Sequence, residues 1–496
     1  MNNFSILIKN GTIIDGTGKK RYLSNIIIDE DKIVSIYNSN QEAIVINNKK
    51  HLIKNLKFNK EIDAKSMVVA PGFIDVHTHD DQNIFDDPTM SCKISQGVTS
   101  CIVGNCGISL APFNFSGDVP APIPLLGEKE VFKYPKVSDY KSAFLKKPSS
   151  INVALLTGHS MLRVQAMNGD ISRSANNDEI NVMQKMLDEA LREGSIGLST
   201  GLAYPAASAA PTEEIIELAK VLKAYDGIFT THMRNEGDDL LKSVQETIDI
   251  GKIAGVRTVI SHHKCAGRTN WGKSIKSLNL IEKAKKEQYL DLDCYPYTAS
   301  STMLLKNFVA RADKVLVTWS DKVKDLKVND INYLTKKFNC SVDEVVDKLY
   351  PAGAIYFQMD DEDLNRILKF SGSMIGSDGL PGDKHPHPRL WGTFPRVLGK
   401  YSREMKLFSL EEAIFKMSGK SSSTFGLKKR GLLKEGYFAD IVIIDKNNVI
   451  DNATYEEPLL PSSGIEKVFT NGKLVWENMT ATENFSGKFL EGKSFN

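Results

Sequence analysis

The chain has 496 residues, of which 63 are basic and 61 acidic, so its formal net charge is only +2. This length predicts two or three structural units with a large buried core. A balanced charge without a dense Lys/Arg block argues against nucleic acid and membrane surfaces as partners. Six scattered cysteines argue against a disulfide framework. The N-terminus lacks a basic segment followed by a long apolar run, so we expect a cytoplasmic protein.

Both ends of the chain have the pattern of short β-strands. Near the N-terminus, "FSILIKNGTIIDGTG" and "SNIIIDEDKIVSI" combine apolar runs with Asn-Gly, Asp-Gly and acidic turn signals. Near the C-terminus, "GYFADIVIID" and "IEKVFTNGKLVW" repeat this style. We therefore predict one small β domain built from residues 1–65 and 430–496, with the body of the chain inserted between them.

The middle of the chain alternates eight strand-like runs with amphipathic segments such as "EINVMQKMLDEALREG". The eight runs are FIDVHTH, TSCIVGNC, INVALLTGHS, SIGLSTG, GIFTTHMR, RTVISHHK, LDLDCYPY and SMIGSDG. This order predicts an α/β fold, a TIM-type (β/α)8 barrel over residues 66–429, with its chemistry at the carboxyl ends of the strands. The gap between the last two runs is too long for one helix, so residues 299–355 are predicted to form an inserted helical subdomain.

Side chains that bind metal ions end five of the eight runs. They are His77 and His79, Cys106, His232, His262 and Asp378. Alternate residues of a strand share a face, so His77 and His79 are expected to project together, and His262 is favoured over His263 as the rim residue. Imidazole, thiolate and carboxylate groups are the ligands of zinc and its transition-metal neighbours. The sequence therefore predicts a metal centre at the rim of the barrel.

These residues and their surroundings resemble the amidohydrolase superfamily and, more narrowly, the D-aminoacylases, which are N-acyl-D-amino-acid deacylases. The resemblance runs from about residue 66 to residue 480 and rests on long ordered motifs. They include "APGFIDVHTHDD", "ISQGVTSCIVGNCGISLAP", "THMRNEG", "VISHHK", "DCYPYTASSTML", "PAGAIYF", "MIGSDGLP" and "HPRLWGTFPRVLG". The Lys/Asn-rich stretch around residues 40–60 departs from the usual compact N-terminal strands but lies outside the predicted site.

The resemblance implies a ligand set for zinc. Cys106, His232 and His262 would hold a tightly bound Zn²⁺. His77, His79 and Asp378 would form a second, weaker metal position, with Cys106 between the two. Many related amidohydrolases bridge their metals with a carboxylated lysine from strand four, but "SIGLSTG" contains no lysine, so Cys106 is expected to take that place.

The resemblance also implies the reaction, which is hydrolysis of N-acyl-D-amino acids to a carboxylate and a free D-amino acid. A metal-activated water would attack the amide, with Asp378 as general base and then acid. Lys264, Tyr295 and Arg389 would bind the substrate carboxylate. Two plainer roles stay open, namely Asp378 as a pure ligand and Arg389 as a salt bridge at the rim.

Several alternatives remain at this stage. A D-dipeptidase uses the same chemistry, whereas a cyclic-amide hydrolase should carry the strand-four lysine and a deaminase does not need the thiolate of Cys106. A non-catalytic binding protein on this scaffold should have lost ligands, yet all six are present. His159 is expected to orient a neighbour, and His385 and His387 either shape the pocket or lie in a solvated loop. The side chain and acyl group of the substrate, the occupancy of a second metal position and the oligomeric state are left open.

Overall fold

The computed structural model describes residues 3–492, and its first 71 residues supply seven strands. They are β1 (Asn3–Ile13), β2 (Tyr22–Asp29), β3 (Lys32–Tyr37), β4 (Ala43–Ile46), β5 (Lys49–Leu52), β6 (Lys57–Asp63) and β7 (Val68–Pro71). β1 pairs antiparallel with β2 and parallel with β6, while β4 and β5 form a separate hairpin. The Lys/Asn-rich stretch therefore contains this hairpin and leads into a strand of the main sheet.

The next part of the chain alternates strands with helices. The strands are β8 (Phe73–Asp75), β9 (Val98–Val103), β10 (Asn152–Gly158), β11 (Gly197–Gly201), β12 (Ile228–His232), β13 (Arg257–Ile260) and β14 (Leu290–Cys294). The helices are α1 (Asn83–Asp86), α2 (Ser91–Ile94), α3 (Val137–Lys146), α4 (His159–Ala166), α5 (Asn177–Arg192), α6 (Thr212–Val221), α7 (Leu240–Ala254) and α8 (Ser274–Ala284). Each strand lies within the run that predicted it, except that β9 begins one residue earlier, and β9–β11 are buried along their whole length.

The sequence predicts a helical subdomain over residues 299–355, between the seventh and eighth barrel strands. The structure of this segment is only partly helical. It forms a four-stranded antiparallel sheet in the order β15-β18-β16-β17, together with short helices. The elements are β15 (Ala299–Met303), α9 (Lys306–Val309), β16 (Lys314–Ser320), β17 (Asn329–Asp330), α10 (Ile331–Phe338), α11 (Val342–Leu349) and β18 (Ala352–Phe357). β15 and β18 contain serine or glycine and give only a weak strand signal in the sequence. The amphipathic pattern of α10 and α11 therefore determined the prediction.

The barrel closes through its eighth strand, β19 (Ser373–Ile375). The eight strands pair in parallel in the order β19-β14-β13-β12-β11-β10-β9-β8, and a parallel bridge between Thr78 and Gly379 joins the two ends. The flanking helices are α12 (Asp361–Lys369), α13 (Arg389–Arg396), α14 (Leu410–Met417) and α15 (Gly419–Phe425), and residues 397–404 are π-helical. The predicted TIM-type barrel is thus confirmed.

The C-terminal strands complete the separate β sheet. They are β20 (Ile441–Ile444), β21 (Ile465–Thr470), β22 (Lys473–Glu477) and β23 (Thr480–Ala481). β20 pairs antiparallel with β7, so one sheet combines both ends of the chain. Residues 487–490 then leave this sheet and bond to the start of the third barrel strand, where Leu490 N donates to Val153 O at 2.7 Å. Within residues 3–492, no helix has the length and apolar character needed to cross a bilayer.

Candidate metal centre

The six predicted metal ligands meet just beyond the carboxyl ends of five barrel strands. They form two overlapping groups, in each of which all ligand atoms lie within 4.8 Å of one another. The groups are His77, His79, Cys106 and Asp378, and Cys106, His232 and His262. All six side chains are buried. The structure therefore brings together every side chain that the sequence assigned to the metal centre.

Cys106 belongs to both groups. Its Sγ lies 3.2 Å from His77 Nε2, 3.3 Å from His262 Nε2 and 3.8 Å from His232 Nδ1. A thiolate at this point can share two cations, as a bridging carboxylate does in other metal centres. The fourth barrel strand, Gly197–Gly201, contains no lysine that could take this place.

The two histidines of the His-Thr-His motif follow the first barrel strand instead of ending it, because that strand stops at Asp75. Both rings nevertheless face Asp378, whose Oδ1 lies 3.5 Å from His77 Nε2 and 3.3 Å from His79 Nε2. Gly376 is required at this junction, since a Cβ there would lie 2.4 Å from the Cβ of His77. The glycine before "SDG" thus allows the ends of the first and eighth strands to approach.

Three of the six ligands have left-handed backbone conformations. The φ angles are +53° at Cys106, +33° at His262 and +50° at Asp378. Residues other than glycine seldom adopt positive φ, and when they do, they are concentrated at functional sites held in place by the surrounding fold. These turns direct the three side chains toward a common point after their strands end, a feature that strand periodicity does not predict.

Two buried carboxylates that sequence analysis did not single out support the histidines from behind. Asp293 Oδ1 lies 3.3 Å from His77 Nδ1, and Glu236 Oε1 lies 3.0 Å from His262 Nδ1. Such contacts leave Nε2 of each ring for the metal side, and carboxylates commonly orient metal-binding histidines in this way. Asp293 lies two residues before Tyr295 and Glu236 lies four residues after His232, so an acid close to a predicted site residue was the available signal.

A buried lysine joins the loops that carry the ligands. Lys93 Nζ lies 2.8 Å from Asp75 Oδ2, 2.9 Å from Asp80 Oδ2 and 3.0 Å from Ser377 Oγ. Because buried charges are tolerated only when they are paired and hydrogen-bonded, this network fixes the ends of the first and eighth strands relative to each other.

The electrostatics of the site favour ionised ligands. Burial alone would raise the pKa of the Cys106 thiol, but the adjacent His77 and His262 rings hold it well below its ordinary value. Burial would also raise the pKa of Asp378, yet the Arg389 guanidinium and His262 hold it well below the usual range of a carboxyl. A thiolate and a carboxylate, the forms that bind metal ions, are therefore the favoured states.

The three residues expected to bind the substrate carboxylate lie together next to the metal centre. Arg389 Nη1 is 2.8 Å from Asp378 Oδ2, and its guanidinium stacks on the Tyr295 ring at 4.6 Å. Lys264 Nζ is 2.7 Å from Glu236 Oε1 and 5.6 Å from the centre of the Tyr295 ring. Each of the two cations is thus already paired with a carboxylate.

A narrow pocket of about 30 Å³ lies over the two ligand groups. Its walls include both ligand-bearing loops and part of the inserted subdomain: His79, Cys106, Tyr204, His232, Glu236, His262, Lys264, Thr302, Phe308, Arg311, Gln358, Asp378 and Leu380. This volume is room for about two waters. A larger cavity of about 820 Å³ lies at the opposite end of the barrel, but none of the six predicted ligands lines it, so the narrow pocket is the candidate site.

Other histidines and cysteines lie outside the ligand groups. His263 Nε2 bonds to Ser277 Oγ at 2.8 Å, away from the rim, as pleat alternation predicted. His159 Nε2 bonds to the buried Glu214 at 2.9 Å and so orients a neighbour. The remaining cysteines are free thiols, four of them buried and one half-buried: Cys92, Cys101, Cys265, Cys294 and Cys340.

The Pro-rich loop after the eighth strand is held by the C-terminal part of the chain. His385 Nε2 lies 2.7 Å from the backbone oxygen of Tyr455. His387 is buried, and its Nδ1 accepts a hydrogen bond from Arg389 N at 3.0 Å. Neither histidine lines the narrow pocket, but His387 fixes the start of the helix that carries Arg389.

Comparison with known proteins gives matches over nearly the whole chain. The amidohydrolase family model matches residues 60–258 and 372–476. A D-aminoacylase of Alcaligenes xylosoxydans xylosoxydans is 43% identical over 487 residues, which cover 98% of this chain and 97% of that protein. An N-acyl-D-aspartate deacylase of the same organism is 44% identical over 430 residues, or 86% of each chain.

A solved structure agrees with these matches. N-acyl-D-glutamate deacylase from Bordetella bronchiseptica, complexed with zinc and a phosphonate inhibitor that mimics the tetrahedral intermediate, has a TM-score of 0.93 to this chain. The identity is 38%, and the match covers 99% of this chain and 100% of that one.

The parallel barrel and the cluster of metal-type side chains at its rim define a metal-dependent amidohydrolase, an enzyme class that acts on amide bonds. Within that class, the chain belongs to the D-aminoacylase family, because identity of more than 40% extends over nearly its full length. The family resemblance seen in the sequence motifs is thereby confirmed.

Proposed function

We propose that this chain is a zinc-dependent enzyme that hydrolyses N-acyl-D-amino acids to a carboxylate and a free D-amino acid. The observation that carries the proposal is the sharing of Cys106 by two groups of metal-type side chains in one narrow pocket. Its relatives carry the names of deacylases for such substrates. The names refer to substrates with different amino-acid side chains, so they do not identify one substrate for this chain.

The donor set fits zinc, since one thiolate, four imidazoles and one carboxylate lie together in buried positions. His79 Nε2 lies 3.3 Å from Asp378 Oδ1 and His232 Nδ1 lies 3.8 Å from Cys106 Sγ, so each ring presents a nitrogen to the place where a metal would bind. We assign Cys106, His232 and His262 to a tightly bound zinc. His77, His79 and Asp378 would form a second, weaker position that shares Cys106.

A zinc ion in this site supplies Lewis acidity, lowering the pKa of water to about 7 and polarising the amide carbonyl. Asp378 performs the proton transfers in our proposal. Its carboxylate is ionised beside Arg389, so one of its oxygens can accept the proton of the attacking water. The same oxygen then delivers that proton to the leaving nitrogen.

Lys264, Tyr295 and Arg389 are assigned to the α-carboxylate of the substrate. Arg389 Nε and Tyr295 OH are buried without a hydrogen-bond partner within the described part of the chain, and Arg389 Nη1 has only its ion pair with Asp378. A guanidinium carries five N–H donors and binds carboxylates in a planar, two-point geometry. Arg389 can therefore keep its contact with Asp378 while other donors of the set receive the substrate.

Acetate release from N-acetyl-D-amino acids, with the L-enantiomers as the matched control, tests this function. We expect hydrolysis of the D-compounds and at least a 10²-fold lower kcat/KM for the L-compounds, because the carboxylate site, the carbonyl site and a side-chain pocket fix one hand. Hydrolysis of both enantiomers at equal rates would contradict the proposal. Ring opening of cyclic amides without cleavage of linear ones would assign a different amidohydrolase activity.

A further inference from the structure

Two cations line the pocket over the metal centre, Lys264 and Arg311, whereas Arg389 lies behind Asp378 and outside the lining. Arg311 lies in the inserted subdomain, in the loop between the helix Lys306–Val309 and the strand Lys314–Ser320. It comes from a different element than the six metal-type residues. Arg311 is therefore part of the pocket wall that the inserted subdomain contributes.

Arg311 differs from the other two cations in its partners. Lys264 is paired with Glu236 at 2.7 Å and Arg389 with Asp378 at 2.8 Å. The Arg311 guanidinium forms no ion pair and no hydrogen bond within residues 3–492, and its Nε is buried without a partner. A half-buried cation without an ion pair or hydrogen bond is unfavourable by itself, so an anion brought by a ligand would complete its environment.

The guanidinium is held in a defined place by aromatic rings. It stacks on Phe308 with 4.5 Å from Cζ to the ring centre. Phe308 packs edge-on against Tyr204 at 6.2 Å, and Tyr204 lies 4.7 Å from the ring of His232. The rings of Phe308 and Tyr204 therefore connect Arg311 to His232 and fix the position of the guanidinium relative to that histidine.

The surroundings of Arg311 are otherwise suited to a polar ligand. Gln358 lines the same pocket and donates from Nε2 to Ser300 Oγ at 2.8 Å, while its Oε1 is buried without a partner. Burial lowers the pKa of the Arg311 guanidinium, and the Glu236 carboxylate, which already binds Lys264, opposes this effect most strongly. An apolar substrate side chain would leave these polar groups desolvated and unpaired.

We propose that Arg311 binds a second carboxylate of the substrate, so that the preferred substrates are N-acyl derivatives of acidic D-amino acids. This inference rests on the proposed function, because it assumes that the pocket receives an N-acyl-D-amino acid. The α-carboxylate is assigned to Lys264, Tyr295 and Arg389, which leaves the side-chain carboxylate for the unpaired guanidinium. The chain length of the side chain, as in aspartate or glutamate, is a separate variable of the test.

The test compares isosteric substrates that differ only in charge. N-acetyl-D-glutamate and N-acetyl-D-aspartate are assayed against N-acetyl-D-glutamine and N-acetyl-D-asparagine, with N-acetyl-D-methionine as an apolar reference. We expect kcat/KM to favour each acid over its amide by about 10- to 100-fold, as a charge-assisted hydrogen bond does. The difference between the two acids then reports which side-chain length reaches Arg311.

Variants separate this site from the rest of the enzyme. Arg311→Leu should abolish the preference for the acids while leaving kcat/KM for N-acetyl-D-methionine within about 3-fold or raised, and Arg311→Lys should retain part of the preference. Arg268→Leu is the matched control. This nearby arginine is 71% exposed and pairs with Asp313, so its loss should not change the substrate profile.

The outcomes distinguish this inference from the proposed function. Efficient hydrolysis of N-acetyl-D-methionine without any preference for the acids would overturn the role of Arg311 and leave the deacylase function intact. An equal loss for all substrates in Arg311→Leu would also overturn it. If no N-acyl-D-amino acid is hydrolysed, the proposed function fails. Calorimetry of N-acetyl-D-glutamate binding then tests the role of Arg311 independently of turnover. There, a 10- to 100-fold weaker Kd in Arg311→Leu supports the site, and an unchanged Kd contradicts it.

Discussion

The two halves of the metal centre each combine a carboxylate with a basic side chain, but they use the carboxylate in different ways. On one side, Glu236 lies behind His262 and pairs with Lys264. On the other side, Asp378 stands among the ligand atoms themselves and pairs with Arg389. In the proposed mechanism, the Glu236 side therefore holds a metal, whereas the Asp378 side both binds a metal and moves protons. Cys106 is the one side chain on which the two sides meet.

Removal of Cys106 should have the largest effect, because it breaks both halves at once. Cys106→Ala removes a ligand charge and its geometry from each group, so we expect loss of the tight zinc and a fall in kcat of more than about 10³-fold. Elemental analysis and turnover of the purified variant measure this. Cys101→Ala, which removes another buried thiol outside the ligand groups, is the control and should retain its zinc. A full equivalent of zinc with normal turnover in Cys106→Ala would refute the shared ligand.

Arg389→Ala tests the cation of the Asp378 side. A guanidinium that binds a carboxylate in a partly desolvated pocket contributes enough that kcat/KM should fall by roughly 10² to 10³, with the zinc content unchanged. N-acyl-D-amino acid amides lack the α-carboxylate, so the native enzyme should discriminate against them and the variant should lose most of that preference. If the variant keeps full discrimination between acid and amide, the anchor is Lys264 or Tyr295 instead.

Asp378→Asn separates proton transfer from metal binding. The amide keeps the shape of the side chain but cannot accept the proton of water, so kcat should fall by about 10²-fold or more. The tight zinc should remain, because Cys106, His232 and His262 are untouched. Parallel metal analysis and steady-state kinetics decide the point, and a loss of the tight zinc would make Asp378 chiefly a structural ligand.

Glu236→Gln should have the smallest effect on kcat in this series. In contrast to Asp378→Asn, its main effect should be on zinc affinity. Loss of a carboxylate that orients a metal-binding histidine typically weakens the metal by about 10- to 100-fold. Competition with a chelator measures the zinc affinity, and kcat at saturating zinc should fall less than in Asp378→Asn. Glu214→Gln is the control, since Glu214 is a buried partner of His159 outside the ligand groups. An unchanged zinc affinity in Glu236→Gln would remove the distinction between the two halves.

Much of this architecture could be predicted from the sequence, because it follows from local patterns. The barrel strands follow strand-like runs in the sequence, and each predicted ligand falls at the end of its strand or soon after it, so strand order alone placed His77, His232 and Asp378 at one rim. The strand component of the inserted subdomain was missed because Ala299–Met303 is rich in serine and small residues, which have weak strand preference.

The supporting parts of the site could not be predicted in this way. Asp293 and Glu236 act through contacts with residues distant in sequence or across a turn, and an acid in a motif has no signature that separates a support from a solvated side chain. The left-handed backbone at Cys106, His262 and Asp378 is imposed by the surrounding fold. That Arg311 lacks an ion-pair partner among residues 3–492 likewise becomes visible only in the folded structure.

The most direct test of the central claim is a crystal structure of the zinc-loaded enzyme with data collected on both sides of the zinc absorption edge. We predict an anomalous peak bonded to Cys106 Sγ and to ring nitrogens of His232 and His262, at about 2.3 Å from sulfur and about 2.0–2.1 Å from nitrogen. Any second, weaker peak should lie toward Asp378 and share the same sulfur. A zinc peak that lacks Cys106 as a ligand, or a site elsewhere in the barrel, would contradict the account.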